Sequence, residues 1–222
     1  GYREGAPHRK VSIYNEGALL ALGLDFLIRR HSDGARSLDD LMRALNREFG
    51  ELRGGYTRND LKRLAESIAG TDLTEFFERY VEGTASYLHF LEPLLPLAGL
   101  NLRTEENPLV SERDFGFKTS CQGGRTLVSI TAPGSIAELA GLMIGDEIVA
   151  INGYRVDGNL NEWLRYFSDE RVDLHVMSGH NLRKISLVRG PDTFYPLYRV
   201  VKTERPTAEQ VKFYENWTGT SF

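Results

Sequence analysis

Residues 131–156 read TAPGSIAELAGLMIGDEIVAINGYRV, and each local choice in this stretch agrees with its neighbours. Pro133 and Gly134 end a strand, and Ser135 is placed to cap a short helix over Ile136 to Ala140. Gly141 closes that helix, because glycine enters the left-handed conformation freely. Ile144-Gly145-Asp146 then turns the chain into the apolar run Ile148 to Ile151. Asn152-Gly153 signals a tight hairpin, since both central residues of a type I′ turn need φ > 0.

Working outward, Phe115 to Ser120 and Thr126 to Thr131 read as strands joined through Gly123-Gly124. A helix follows over Asn159 to Phe167, with Leu160, Trp163, Leu164 and Phe167 on one face. Val172, Leu174 and Val176 alternate as a strand, and Ile185 and Leu187 lie on the returning one. This order of turn, helix and strand resembles the core of a bacterial-type PDZ domain. The resemblance implies a small β-barrel or sandwich with two helices over residues 101–190, and binding of extended peptides, often at a free C-terminus. Phe115-Gly116-Phe117 matches the apolar-Gly-apolar loop whose backbone N–H groups receive a terminal carboxylate in such domains. A ligand would then add as a strand beside Phe117 to Ser120, against the helix that carries Leu160 and Trp163. The alternative is that the protein's own domains fill that groove, which then only shapes access to an active site.

The first hundred residues are helical in pattern. From Ser12 to about Arg30, Leu20, Leu24, Leu27 and Ile28 recur at helical spacing. Nearly every residue from Ala18 to Leu24 is apolar, which predicts a helix buried on most of its surface. Gly17, Ala21 and Gly23 inside it predict the close approach of another element, because each helical Gly costs about 1 kcal/mol relative to Ala. Asp25 and Arg29 stand one turn apart, an ion pair worth a few tenths of a kcal/mol if exposed.

A second helix starts at Ser37, with Leu38, Leu41, Met42, Leu45 and Phe49 on one face and Gly50 as its stop. Thr57 caps a third, ending at Gly70. Thr71 or Asp72 starts a fourth, closed by Gly83, and a fifth covers Thr84 to Leu91 before Pro93 interrupts it. Short connections argue for antiparallel neighbours in an all-α bundle over residues 1–100. Pro96 to Pro108 has no clear period and reads as the connection between domains. Beyond Gly190, Tyr195 to Val201 looks extended, and Pro206-Thr207 opens a last helix in which Val211, Tyr214 and Trp217 recur every three residues. Residues 191–222 are expected to return to the helical part. The fold class is therefore α+β: an all-α bundle followed by the PDZ-type domain.

Composition sets limits on partners. The formal charge of −4 gives no basic balance that would point to nucleic acid, and no apolar run approaches the ~20 residues of a membrane span. The single cysteine, Cys121, excludes an intrachain disulfide and reads as an incidental thiol near a turn. The chain begins Gly1-Tyr2-Arg3, without an initiating Met or a signal peptide, and reads as a piece of something longer; the compartment is not legible. None of the histidines 8, 31, 89, 175 and 180 forms the His-Glu-x-x-His pattern that sets two imidazoles on one helix face, so no residue is assigned as a metal ligand.

The stretch Ser12 to Asp25, SIYNEGALLALGLD, resembles a helix that follows the metal-binding helices in the glycyl aminopeptidase family of zinc metallopeptidases. SLDDLMRAL, GYTRNDL, GTDLTEFFERYVEGT and PTAEQVKFYENW resemble that family's C-terminal helices, and a PDZ domain follows the helical part in the family as it does here. The resemblance runs from about Val11 to Trp217 and lies in the order of the motifs. It implies that Tyr14 is the phenol donor that stabilises the oxyanion formed when zinc-bound water attacks a peptide carbonyl. A tyrosine that only packs at a helix start is the competing reading. Position 16 is Glu, where the related motif commonly has Lys. The zinc ligands would lie upstream of Gly1, so zinc belongs to the parent protein and the 222-residue chain alone is expected to hydrolyse nothing. From another class, the competitor is a non-catalytic PDZ adaptor with a helical docking domain. A third possibility is a family member that has lost its zinc.

Overall fold

Side-chain oxygens that satisfy the first N–H groups of a helix fix where several helices of this protein begin. In the computed structural model, which describes residues 13–51, 55–168 and 171–222, Ser37 N–H donates to Asp40 (2.9 Å), Thr57 to Asp60 (2.9 Å) and Thr207 to Gln210 (2.9 Å). These boxes open α2 (Leu38–Phe49), α3 (Arg58–Ala69) and α9 (Ala208–Thr218), with labels numbered along the chain. Gly70 ends α3 with φ 69°.

The chain divides into two units, one of residues 13–103 with Arg199–Phe222, the other Thr104–Tyr198. In the helical unit, α1 (Ile13–His31) packs against α2, α3 and α5 (Leu88–Leu94). Its fully buried residues, Gly23, Leu24, Asp25, Phe26 and Ile28, lie in the second half, with Leu19 and Leu20 half-buried against the same core. Ile13 and Tyr14 are 71% and 83% exposed, and Gly17 and Ala18 are exposed too, so the expected burial of most of the helix surface is corrected at its start. The reason is packing: Phe90 and Phe76 press within 2.7 and 3.1 Å of the place a Gly23 Cβ would take, whereas none of the described residues lies within 4 Å at Gly17. The expected polar loop over residues 1–11 lies outside the described residues.

Several other expectations need correction. Met42 is 52% exposed, off the buried face of α2. The fourth helix starts later, as α4 (Thr74–Phe76), and widens into a π-helical turn (Phe77–Val81) with Glu82 N–H bonded to the Phe77 carbonyl (2.9 Å). That turn keeps Phe76, Phe77 and Tyr80 all buried. Helix α5 begins four residues later than expected and runs through Pro93. The proline is exposed and forfeits one backbone bond near the helix end, before a 3₁₀ turn (Leu95–Ala98) closes on Gly99. The supposed connection contains β1 (Leu100–Glu105), which pairs with β8 (Leu197–Lys202).

Helix α9 lies on the 3₁₀ turn, with Gln210 donating to the Pro96 carbonyl (2.8 Å). Phe213 and Trp217 meet the Phe26 ring edge-on at 5.1 and 4.9 Å. The Asp25–Arg29 pair is buried, not exposed: the side chains are 11% and 13% accessible. Asp25 accepts from Arg29 (2.9 Å) and from the Leu38 N–H (2.7 Å) at the start of α2, and Arg29 donates to the Asn216 carbonyl (3.0 Å) on α9. One carboxylate thus fastens three helices.

Among the described residues, the second unit holds a six-stranded sheet in the order β2-β3-β4-β6-β7, with β5 on β4 and every pairing antiparallel. The strands are β2 (Phe117–Gln122), β3 (Arg125–Thr131), β4 (Glu147–Ile151), β5 (Tyr154–Arg155), β6 (Arg171–Ser178) and β7 (Asn181–Val188). Helices α6 (Val110–Arg113), α7 (Ile136–Leu139) and α8 (Leu160–Tyr166) complete it. Asn152 (φ 47°) and Gly153 (φ 84°) take the conformations the hairpin demands. Ser135 Oγ accepts from Glu138 N–H (3.2 Å). Buried Asp146 accepts from the Met143 N–H (3.0 Å), Ser178 and Arg183, which ties the turn before β4 to β6 and β7. Val172, Leu174, Val176, Ile185 and Leu187 point from β6 and β7 into a core shared with Phe115, Phe117, Ile148 and Leu160. The architecture is α+β.

Candidate functional site

Tyr14 is the second residue of α1, in a first turn that the described residues leave open to solvent. Glu16 is half-buried, and its charge, after burial itself, raises the pKa of Tyr87. The helix below it is fixed by the Asp25 node and the Phe76 and Phe90 rings. Among the described residues, no three His, Cys, Asp or Glu side chains gather in a way that could hold a metal ion.

The other predicted residues belong to the PDZ-like unit. Phe115 and Phe117 are fully buried, and they share one core with Leu160. Trp163 is turned towards the β4–β5 hairpin: its ring lies 5.0 Å from that of Tyr154 and stacks on Phe167, and its indole N–H donates to the Arg155 carbonyl (3.2 Å). The structure therefore brings Phe115, Phe117 and Leu160 together in one core, against whose edge Trp163 and Phe167 pack. Strand β2 is an edge of the sheet.

Gly116 sits between α6 and β2 with φ 72°, and it is buried. Its N–H donates to the Glu112 carbonyl (3.1 Å), and its carbonyl accepts from the Ala132 N–H (2.7 Å). A Cβ there would stand 2.4 Å from that of Ser135 and 2.9 Å from the Phe194 ring. Phe194 N–H donates to the Arg113 carbonyl (2.8 Å). The next residue, Tyr195, has φ 47° instead of the extended backbone expected for it, and its ring lies 4.5 Å from the Lys118 ammonium. Lys118 in turn faces Glu112 (3.4 Å), and the Asn107 amide donates to Glu112 (2.9 Å) and to the Tyr195 carbonyl (3.1 Å). Burial, then the Glu112 charge, pushes the Tyr195 phenol pKa up. Helix α6 is held to α8 as well, since the Asn161 side chain accepts from the Ser111 N–H (2.9 Å). Sequence reasoning missed Asn107, Glu112, Phe194 and Tyr195. Residues more than seventy positions apart carry no mutual signal in one sequence.

The comparisons with known proteins follow the same division. The family model for the PDZ domain matches residues 129–176, so the second unit is a PDZ-like domain. The chain as a whole has the fold of part of an aminopeptidase N family protein from Idiomarina loihiensis. That likeness has a TM-score of 0.77 at 23% identity and covers 93% of this chain and 36% of the other. The chain thus spans about a third of that protein's length. Two peptide-bound PDZ domains are also similar: the HtrA3 PDZ domain with a phage-derived ligand (TM-score 0.31, 19% identity, 47% of this chain and 93% of that one) and the PDZ domain of a carboxy-terminal protease from Vibrio cholerae (TM-score 0.31, 20% identity, 37% and 96%). No curated protein matches in sequence.

Proposed function

We propose that this chain is the C-terminal part of a zinc-dependent aminopeptidase of the glycyl aminopeptidase type, with Tyr14 as a hydrogen-bond donor to the reacting carbonyl. The observation that carries the reading is the contrast along α1. Its second half is core, while its start, with Ile13 and Tyr14, is left uncovered by the described residues. A buried, node-anchored helix that presents one phenol at an open end suits a donor that must be held before charge develops. The fold likeness to part of a much longer aminopeptidase N family protein supports a parent of that kind.

In this reading the metal is held by polypeptide outside this chain, and no step is derived through it. What this chain would supply is the Tyr14 O–H, donating to the carbonyl oxygen as that oxygen gains charge. Loss of one such donor typically costs roughly 3–4 kcal/mol of barrier, or about 100- to 1,000-fold in kcat. In the full-length parent, Tyr14→Phe should lower kcat on a glycyl chromogenic amide by that factor with little change in KM. An unchanged kcat would refute the assignment. Metal-dependent release of glycine by the 222-residue chain alone would refute the placement of the ligands.

The non-catalytic alternative, a PDZ adaptor with a helical docking domain, draws on the same uncovered turn of α1. The reading frame upstream of Gly1 separates the two, because only the peptidase requires His-Glu-x-x-His followed by a distal Glu.

A further inference from the structure

We propose that the PDZ-like unit is plugged by its own chain: Phe194 and Tyr195, with Glu112, occupy the end of the groove where a ligand's terminal carboxylate would be received. This rests on the PDZ fold and not on the peptidase reading, so its failure would leave the role of Tyr14 untouched.

A carboxylate-receiving loop needs backbone N–H groups that point into open space, with no anion already beside them. The loop at Gly116 meets neither condition. Its N–H is engaged by the Glu112 carbonyl, and the Phe194 ring lies against the glycine on the side where a Cβ would project. The cation best placed to attract a carboxylate, Lys118, already faces the Glu112 carboxylate and the Tyr195 ring. An incoming terminus would meet Glu112 as a like charge at short range.

The plug is fastened lightly for a piece of core. Phe194 is anchored by one backbone bond to Arg113, and both Phe194 and Tyr195 remain half-buried. Tyr195 takes a left-handed backbone that only glycine enters freely, and its hydroxyl is buried without a hydrogen-bond partner. A segment held in this way can be displaced, or removed by substitution, without dismantling the sheet.

The test uses the full chain and two single variants, Phe194→Ala and Tyr195→Gly. Each is titrated by fluorescence anisotropy with one labelled decapeptide ending in leucine, as the free acid and as the C-terminal amide. The wild type should bind neither form more tightly than about 1 mM. Phe194→Ala should bind the free acid at least about tenfold more tightly than the wild type and prefer it to the amide by a similar factor. Near-UV circular dichroism checks that the variant is folded. Should Phe194→Ala fail that check, Tyr195→Gly decides, since it takes the ring off the Lys118 ammonium without straining the backbone at φ 47°, and the same gain is expected. A wild type that already prefers the free acid at micromolar affinity would overturn the proposal, and so would a folded variant that gains nothing.

Discussion

Asp25→Ala removes the carboxylate that joins α1, α2 and α9. Two bonds vanish: the charge-assisted one from Arg29 and the one from the Leu38 N–H, which is then left unsatisfied at the start of α2. Hydrogen bonds to charged groups contribute about 1.5–3 kcal/mol each, and loss of a helix cap costs about 1 kcal/mol. Arg29, with its side chain only 13% accessible, keeps Asn216 but loses its counter-charge. We expect a loss of about 3–4 kcal/mol, in line with the removal of one partner from a buried pair. An exposed pair with the same spacing contributes only about 0.3–0.5 kcal/mol. Trp217 reports on this unit because its ring lies 4.9 Å from that of Phe26. Urea unfolding followed by Trp217 fluorescence in a Trp163→Phe background therefore gives the difference directly. Asp25→Asn keeps an acceptor for Leu38 and should lose roughly half as much. In a double-mutant cycle with Arg29→Met, the coupling should be at least about 1.5 kcal/mol. A loss below about 1 kcal/mol for Asp25→Ala would show that the pair behaves as if in water, and the node would have no structural weight.

Two further perturbations follow from geometry. Gly17→Ala, exposed and with no atom within 4 Å of the new methyl group, should stabilise the helical unit by roughly 0.5–1 kcal/mol. Gly23→Ala sets a methyl 2.7 Å from the Phe90 ring and should destabilise it by about 1–3 kcal/mol, both read as urea midpoints. In the PDZ-like unit, hydrogen bonds from Lys184, then Ser186 and Arg171, hold the Asp173 carboxyl well below the usual carboxylate range. A depressed folded-state pKa contributes stability that is present above the ordinary aspartate value of about 3.9 and is lost as pH falls below it. Asp173→Asn should therefore be less stable than the wild type at neutral pH, with the gap closing on acidification, as followed by Trp163 fluorescence in a Trp217→Phe background.

What could be read from the sequence divides by range. Ser37 with Asp40, Thr57 with Asp60 and Thr207 with Gln210 satisfy helix starts within four residues, and Asn152-Gly153 dictates its turn alone, so these features were legible. The alternation of Val172, Leu174 and Val176 likewise needs only one strand with a covered face. The exposure of the first half of α1 was not legible, because an apolar stripe does not say which part of it finds a neighbour. Strand β1 escaped for a related reason: it is short, mixed in polarity and defined mainly by its partner β8, more than ninety positions away, whereas β8 itself lies in the stretch read as extended. At the candidate site, the apolar-Gly-apolar run at Gly116 was legible and the ring that lies against it was not. Phe194 reaches that glycine only through the return of the chain after β7.

The polypeptide leaves the helical unit after Arg103 and re-enters it at Arg199, along two strands that are hydrogen-bonded to each other. In topological terms, the PDZ-like module is laid out as an insertion between two parts of the helical unit that remain neighbours. Such an insertion can be exchanged, lost or acquired by recombination while the helical unit keeps its own last strand and helix, which are encoded on its far side.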